Sequence, residues 1–417
     1  MSQRTVEEVN EKIRSGKANV FTITQLKDAI RNEEEISFDD VDVVTTGTCG
    51  IMSGTAAILH IPVTKPGEFK KAKSIFLNGV PAFPGPCPNE YLGSVDIIVY
   101  GTQHSLNNPD YGGGFLFKDF LSGEKIELDL ESIDGERFKK TITIDEIGGG
   151  QLIGTRMAFK NYTAFINPKG DKVNSIFNSI PMEGKLKGLS FSGCGEYNPL
   201  QNDPKQNVIN EGTKILLNGS KGIILGNGTR SSNDKPNLML SADFLDMDDE
   251  YIGGFKTGAG PEVYDTIAIP IPVLNEEILE NLLILDEDVK LPVADIHGRH
   301  LPITEITYGD VWKDSDNRPK FHPDKFDEFE NETIKNNCPT LAINDNGTIN
   351  FDSCFGCGLC ATLSTTGAYT QKLNNVQLEI NNEKKDVPIV CRQSDRQRAL
   401  KIATKLKKLI LDGKFEL

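Results

Sequence analysis

Four cysteines near the C-terminus constrain this chain more than any other feature in it. Cys354, Cys357 and Cys360 stand at C-x2-C-x2-C spacing in SCFGCGLC, and Cys338 precedes a proline upstream in NNCPTLAI. In chains that hold two cubanes, each such triple binds three irons of one cluster. The fourth thiolate then comes from the Cys-Pro of the other half. Here one triple survives together with the Cys-Pro that completes it. The other triple is missing, and Ser364 in STTGAY occupies the place of the second Cys-Pro. Both losses fall on the same cluster. The pattern therefore predicts a segment that wraps one [4Fe-4S] cluster and moves electrons singly. Structural zinc is the alternative; it also uses four cysteines, but normally as two separated C-x2-C knuckles.

The rest of the chain is long enough, at 417 residues, for two or three domains. A formal net charge of -15 makes it a poor partner for a phosphate backbone or an anionic membrane, so neither nucleic acid nor membrane is expected. No run of 18 apolar residues occurs, and the polar start MSQRTVEEVNEKIRSGKANV does not read as a signal peptide. Eight cysteines without an export signal point to the cytoplasm, with thiols used for metal or catalysis.

Periodicity and turn signals predict an α+β fold: a strand-rich N-terminal body, a small half-ferredoxin-like segment, and a terminal helix. Residues 5–32 read as two short helices, with Thr24 placed to cap the second. VDVVTT (41–46) reads as a buried strand running into glycines at 47, 50 and 54. A helix after them would aim backbone N–H groups at an anion, whereas a tight turn with close packing is the plainer reading. Strands are expected at 73–78, 95–100, 125–130 and 140–145, and a helix at about 275–285. Composition divides the chain into a body (1–310), a charged, proline-marked linker (311–337), the single-cluster segment (338–370), and a β-hairpin with an amphipathic helix (371–417). Leu400, Ala403, Leu406 and Ile410 mark the apolar face of that helix, and Gly413 its end.

Several segments between about 40 and 290 resemble the homocysteine-biosynthesis, sulfur-incorporation family: VDVVTTGTCGIMSG, FLNGVPAF, YLGSVDIIVYGTQHS, YGGGFLFKDFLSG, SGCGEYNPLQNDP and IPIPVLNEEIL. With the cluster segment added, the chain is most similar to the group of methanogenesis marker 16 metalloproteins. The resemblance implies a sulfurtransferase that turns a small aldehyde into a thiol, as in homocysteine formation from aspartate semialdehyde. It implies a sulfide or persulfide donor and a low-potential electron donor such as a ferredoxin. A redox metalloprotein for cofactor maturation and a non-catalytic electron carrier remain the alternatives.

That chemistry needs a sulfur nucleophile, an acid and electrons. Cys194 is the first candidate for the sulfur carrier. It lies between Gly193 and Gly195 in the family's SGCGEYNP segment, where nearby N–H groups can lower a thiol pKa. Cys87, held between prolines, and Cys49 are candidates for a second, resolving thiol. A small packed cysteine is the plain reading of each, and a second metal site made of Cys49, Cys87 and Cys194 is a further one. His104, just after a strand, is the candidate general acid. Arg156 and Arg230 follow glycine-rich turns and suit a substrate carboxylate. Cys391 beside Arg392 is expected to pack.

Overall fold

The computed structural model describes residues 3–85, 90–160, 162–298 and 301–417. The fold is α+β and strand-rich with a terminal helix. A fourteen-stranded sheet forms the body. Its order is Val20–Thr22, Val43–Ile51, Gly260–Pro272, Lys214–Leu217, Ser220–Asn227, Leu238–Asp243, Gly149–Met157, Thr55–Pro62, Ser94–Tyr100, Val80–Pro84, Ala72–Leu77, Ile126–Ser132 and Arg137–Ile142. Gly253–Thr257 pairs with Gly260–Pro272 off this path. The long strand Gly260–Pro272 runs antiparallel to Val43–Ile51, from Tyr264↔Ile51 to Pro272↔Val43, and sets Thr266 opposite Cys49. Both strands are buried almost throughout, as strands covered on both faces must be.

No helix follows the glycines at 47, 50 and 54. The strand continues through Cys49 to Ile51, turns, and returns as Thr55–Pro62. The returning residues alternate buried and half-buried, the period of a strand, and pair with Ser94–Tyr100 and Gly149–Met157. The glycines serve close approach instead. A Cβ on Gly47 would overlap the carbonyl of Ala399, and one on Gly54 would lie 2.8 Å from the Thr155 hydroxyl. The helices Val6–Arg14 and Ile23–Arg31 form where expected, but Thr22 caps the second, accepting from Gln25 N, while Thr24 sits inside it.

A six-stranded sheet combines body and tail: Pro302–Thr307, Lys290–Asp295, Ala164–Ile166, Leu189–Phe191, Glu383–Arg392 and Asn375–Ile380. Its last two strands form the predicted hairpin. They turn at Asn381 and Asn382, both left-handed (φ 54 and 64), as a two-residue primed turn requires. Strand Glu383–Arg392 runs parallel to Leu189–Phe191, so the tail is paired into the sheet that leads to Cys194. The stretch 311–337 carries buried Trp312 and Ser315, the short strand Lys320–Phe321 and the helix Glu328–Asn337.

The terminal helix, Arg396–Leu411, starts at Asp395, whose side chain accepts from Arg398 N, and stops before Gly413 (φ 66). Its buried face is Ala399, Ile402, Ala403, Leu406 and Ile410; Leu400 stands at the margin, half-buried. Each of the larger side chains is worth roughly 1.5–3 kcal/mol when withdrawn from water, before conformational costs. The helix lies on the Cys49 strand, where Gly47 admits it. Among the described residues no helix is long and apolar enough to cross a membrane.

Candidate functional site

Strand Leu189–Phe191 delivers the chain to a locked turn at Cys194. Gly193 has φ 113 and Gly195 φ 55, values that favour glycine. A Cβ on Gly193 would overlap the Tyr308 hydroxyl, and one on Gly195 would overlap the carboxylate of Asp286. Tyr308 donates to Ser192 O at 2.9 Å, Trp312 Nε1 to Gly193 O at 3.1 Å, and Arg396 Nε to Cys194 O at 3.0 Å. Arg396 also pairs with Asp286 at 2.5 Å; Glu196 N donates to the Asp286 carboxylate and Asp286 N to the Glu196 carboxylate, which takes a bidentate contact from Arg31. Lys27, fully buried, donates to Asn202 and to Leu282 O beneath this network, and burial brings its pKa down to about 7. The turn is thus held from several sides by groups distant in sequence.

The thiol so presented is fully buried, and Sγ donates to the carbonyl of Cys49 at 3.6 Å. Burial pushes Cys194 up to about 11, more than the Arg396 guanidinium offsets. Cys49 is also buried and driven well above the usual thiol range, chiefly by desolvation and then by Asp395. The lowering expected from nearby N–H groups does not prevail, because the desolvation is complete. Around the two thiols lie polar atoms without partners among the described residues: Thr48 Oγ1, Tyr162 Oη and Tyr264 Oη. Tyr162 reaches toward Cys194 and Thr48. It stacks edge-on against Phe159 at 5.5 Å, and the Arg156 guanidinium lies over Phe159 at 4.8 Å. Arg156 Nε is buried without a partner, and the charge acting on it is that of Arg230. Among the described residues no carboxylate pairs with either arginine. The unpartnered Nε leaves Arg156 a donor free for an anion.

Cys338 closes the helix Glu328–Asn337 and accepts from Ala342 N at 3.3 Å. Gly356 (φ 70) and Gly358 (φ 89) bend the loop from Cys354 to Cys360. Backbone N–H groups of Gly356, Leu359 and Ala361 point at the sulfurs of Cys354, Cys357 and Cys360. Each of the four thiols lies within electrostatic reach of at least two of the others. Among the described residues no group of three or more His, Cys, Asp or Glu side chains is gathered as a single ion requires. Four sulfurs from two segments, each supplied with an N–H donor, fit the donor set of an iron–sulfur cluster. One apolar cluster of side chains spans both sulfur sites: Cys49, Cys194, Phe255, Tyr264, Phe355, Cys357 and Cys391 all belong to it.

The family model for the homocysteine biosynthesis enzyme, sulfur-incorporation, matches residues 18–417. The chain belongs to that family. An uncharacterized protein of Methanothermobacter thermautotrophicus is 53% identical over 412 residues, 99% of this chain and 94% of that one. An L-aspartate semialdehyde sulfurtransferase of Methanocaldococcus jannaschii is 32% identical over 310 residues, 71% of this chain and 59% of its own. One of Methanosarcina acetivorans is 30% identical over 325 residues, 75% and 63% respectively. No solved structure matches. The family match takes in the cysteine-rich segment and the tail as well as the body.

Within this member of the family, the fold brings Cys49 to Cys194 and leaves exposed Arg230 within electrostatic reach of Arg156. It leaves His104 exposed and bridged to Gly112, not among the groups that reach either thiol. Cys87 and His300 lie outside the described residues. His297 N donates to Asp295, and His322 Nε2 bonds Thr370 Oγ1 at 2.8 Å. Cys391 is buried beside Ser179, as a packed cysteine. Sequence reasoning missed Thr48, Tyr162, Asp286, Asp395, Arg396 and Arg398. The run RQSDRQR after Cys391 carried the one available signal: three arginines and an aspartate crowded at the start of a helix whose face is apolar.

Proposed function

We propose that this chain is a cytoplasmic reductive sulfurtransferase acting on a small carboxylated aldehyde, with aspartate semialdehyde as the reference substrate and homocysteine as the product. The observation that carries the reading is the locked Cys194 turn, with Cys49 beside it and both in one apolar cluster with Cys357. Arg156 and Arg230 hold the substrate carboxylate. Tyr162 stands between that anion site and Cys194 and supplies the proton to the departing oxygen, a role for which His104 was the expectation.

Sulfur at the level of sulfide converts the aldehyde to the thiol and water with two electrons and two protons. Cys194 carries that sulfur as a persulfide, whose terminal sulfur adds to the carbonyl carbon. Attack of Cys49 on Cys194 Sγ then frees the substrate-bound sulfur and leaves a Cys49–Cys194 disulfide. Sulfide opens the disulfide, restoring the persulfide on Cys194 and the thiol on Cys49. The burial that keeps both thiols protonated also keeps water from the adduct. A [4Fe-4S] cluster on Cys338, Cys354, Cys357 and Cys360 would supply the electrons one at a time, drawn from a low-potential donor such as a ferredoxin.

The test is sulfide-dependent homocysteine formation from aspartate semialdehyde by the anaerobically purified chain with a low-potential reductant. Mass spectrometry of the thiols accompanies it. An extra sulfur on Cys194 and loss of turnover in Cys194→Ser are expected. Full turnover in that variant sinks the assignment.

A further inference from the structure

Between the Cys49 strand and the cysteine-rich loop runs a buried row of charge. Arg398 is 4% exposed and Asp395 2%, and they pair at 2.6 Å. Arg398 Nη1 donates to Cys354 O at 2.8 Å, Nη2 to Asp352 O at 2.6 Å, and Nε to Glu250 O at 2.8 Å. Asp395 N donates to Cys49 O at 3.1 Å. The other face of Asp395 takes Arg318 through both carboxylate oxygens, at 2.7 and 2.9 Å. Arg318 in turn lies against Gly356, where a Cβ would overlap its Nη1. Three hydrogen bonds therefore lead from a cysteine of the loop to the carbonyl of Cys49: Cys354 to Arg398, Arg398 to Asp395, Asp395 to Cys49. Tyr264 is sandwiched nearby, 5.2 Å from Phe355 and 5.3 Å from the Arg398 guanidinium.

A row this costly to desolvate is weak evidence of a purely stabilising role. Two guanidiniums and one carboxylate leave a net positive charge where solvent screening is small. We propose that Arg318, Asp395 and Arg398 are positioning residues that hold the Cys354 arm of the cluster against the Cys49 strand and set its reduction potential through their net charge. The inference rests on the reading that the four cysteines bind an iron–sulfur cluster. A cluster held by four thiolates is anionic and gains a further negative charge on reduction. A buried cation beside it favours the reduced form and a buried anion opposes it.

The experiment is a potentiometric titration followed by electron paramagnetic resonance on the full chain, purified anaerobically, with iron and acid-labile sulfide counted in every sample. Wild type is compared with Arg398→Gln, Arg398→Lys and Asp395→Asn. Asparagine still caps the terminal helix, so that helix keeps its start. Expected are unchanged iron, a midpoint more negative than wild type in Arg398→Gln, more positive in Asp395→Asn, and close to wild type in Arg398→Lys. Shifts of one sign in both charge-removing variants, or equal midpoints at full iron, overturn the proposal, because a merely structural role gives no reason for opposite signs. Should Arg398→Gln not fold, Arg318→Gln, which removes the other guanidinium on Asp395, is expected to give a midpoint more negative than wild type and takes its place in the test of sign. Zinc without iron in the wild-type chain defeats the cluster reading and this inference with it, and metal analysis separates that outcome before any titration begins.

Discussion

The chain keeps two sets of sulfur close together and treats them in opposite ways. In the body, Cys194 Sγ gives a hydrogen bond to a carbonyl, and both Cys194 and Cys49 are sealed from solvent. In the cysteine-rich segment the sulfurs receive bonds: Ala342 N donates to Cys338, and Gly356, Leu359 and Ala361 turn their N–H groups to the others. Burial raises the thiols of both sets, Cys357 well above the usual range, so what differs is what the sulfurs face: N–H donors and one another in the cysteine-rich segment, a carbonyl and one neighbouring thiol at Cys194. The first suits metal ligation. The second suits a nucleophile that must stay quiet until its partner arrives. The difference lies in the neighbours of each sulfur, not in distance from solvent, since Cys354 and Cys357 are also buried.

The largest expected effect separates the two sets outright. Cys194→Ser is expected to lower homocysteine formation at least about 10³-fold while leaving iron and acid-labile sulfide at the parent's level. Cys357→Ser is expected to do the reverse at the metal, losing iron while a persulfide on Cys194 remains detectable by mass spectrometry. If either substitution empties both sites, the comparison fails. Next in size is the junction. Gly47→Ala drives a methyl into the Ala399 carbonyl, a backbone atom of a packed helix that cannot swing aside. A loss of about 3 kcal/mol in urea unfolding is expected. A near-neutral result would mean that the terminal helix is not pressed on the Cys49 strand. Third, burial holds Cys194 at about 11. Its thiolate fraction at neutral pH is then roughly three hundredfold below that of free cysteine. Alkylation of Cys194, followed by mass spectrometry, is expected to keep rising with pH toward about 11; a plateau near 8.5, the ordinary thiol value, would mean that the Cys194 thiol is not sealed from water as its side of the comparison requires.

These expectations also show what the sequence could carry. Cysteine spacing is local, so the candidate ligand set was legible before any fold was known. So were the N-terminal helices, the tail hairpin and the terminal helix, whose periodicity and turn residues act within a few positions. The hairpin at Cys49 was not legible. Glycine and alanine there look like a turn into a helix, and only pairing with Ser94–Tyr100, Gly149–Met157 and Gly260–Pro272, all remote in sequence, makes them strand. The same holds for the groups that surround Cys194. Arg396 is 202 positions away and Tyr308 more than 100, so nothing in SGCGEYNP announces them. The sign of the Cys194 shift was missed for a related reason. Flanking glycines are visible in sequence, but the burial that outweighs their N–H groups is a tertiary property.

The smallest effect concerns the loop at Ser364, which the sequence reading sets in the place of a second Cys-Pro. Where the second Cys-Pro would stand, Glu330 of the helix Glu328–Asn337 gathers the chain: its carboxylate accepts from the hydroxyls of Ser364 (3.1 Å), Thr365 (2.8 Å) and Thr366 (2.5 Å) and from Thr365 N and Thr366 N. Ser364 Oγ accepts in turn from Tyr369 N. One carboxylate thus ties the loop from Ser364 to Thr366. Desolvation raises the Glu330 carboxyl, but the Thr366 and Thr365 donors outweigh it and hold it at about 2. Its folded value lies below the unfolded one of about 4.3. The stability it confers is therefore fully present above that value and is lost as pH falls from there through about 2. Glu330→Gln should cost about 1 kcal/mol near neutrality, a modest figure because the site is partly exposed and screened. The gap between variant and parent should close as the solution is acidified across that window, other acid-sensitive groups being common to both. A gap that stays constant would mean that the loop is held by packing around Tyr369 and Phe321, and not by the charge of the carboxylate.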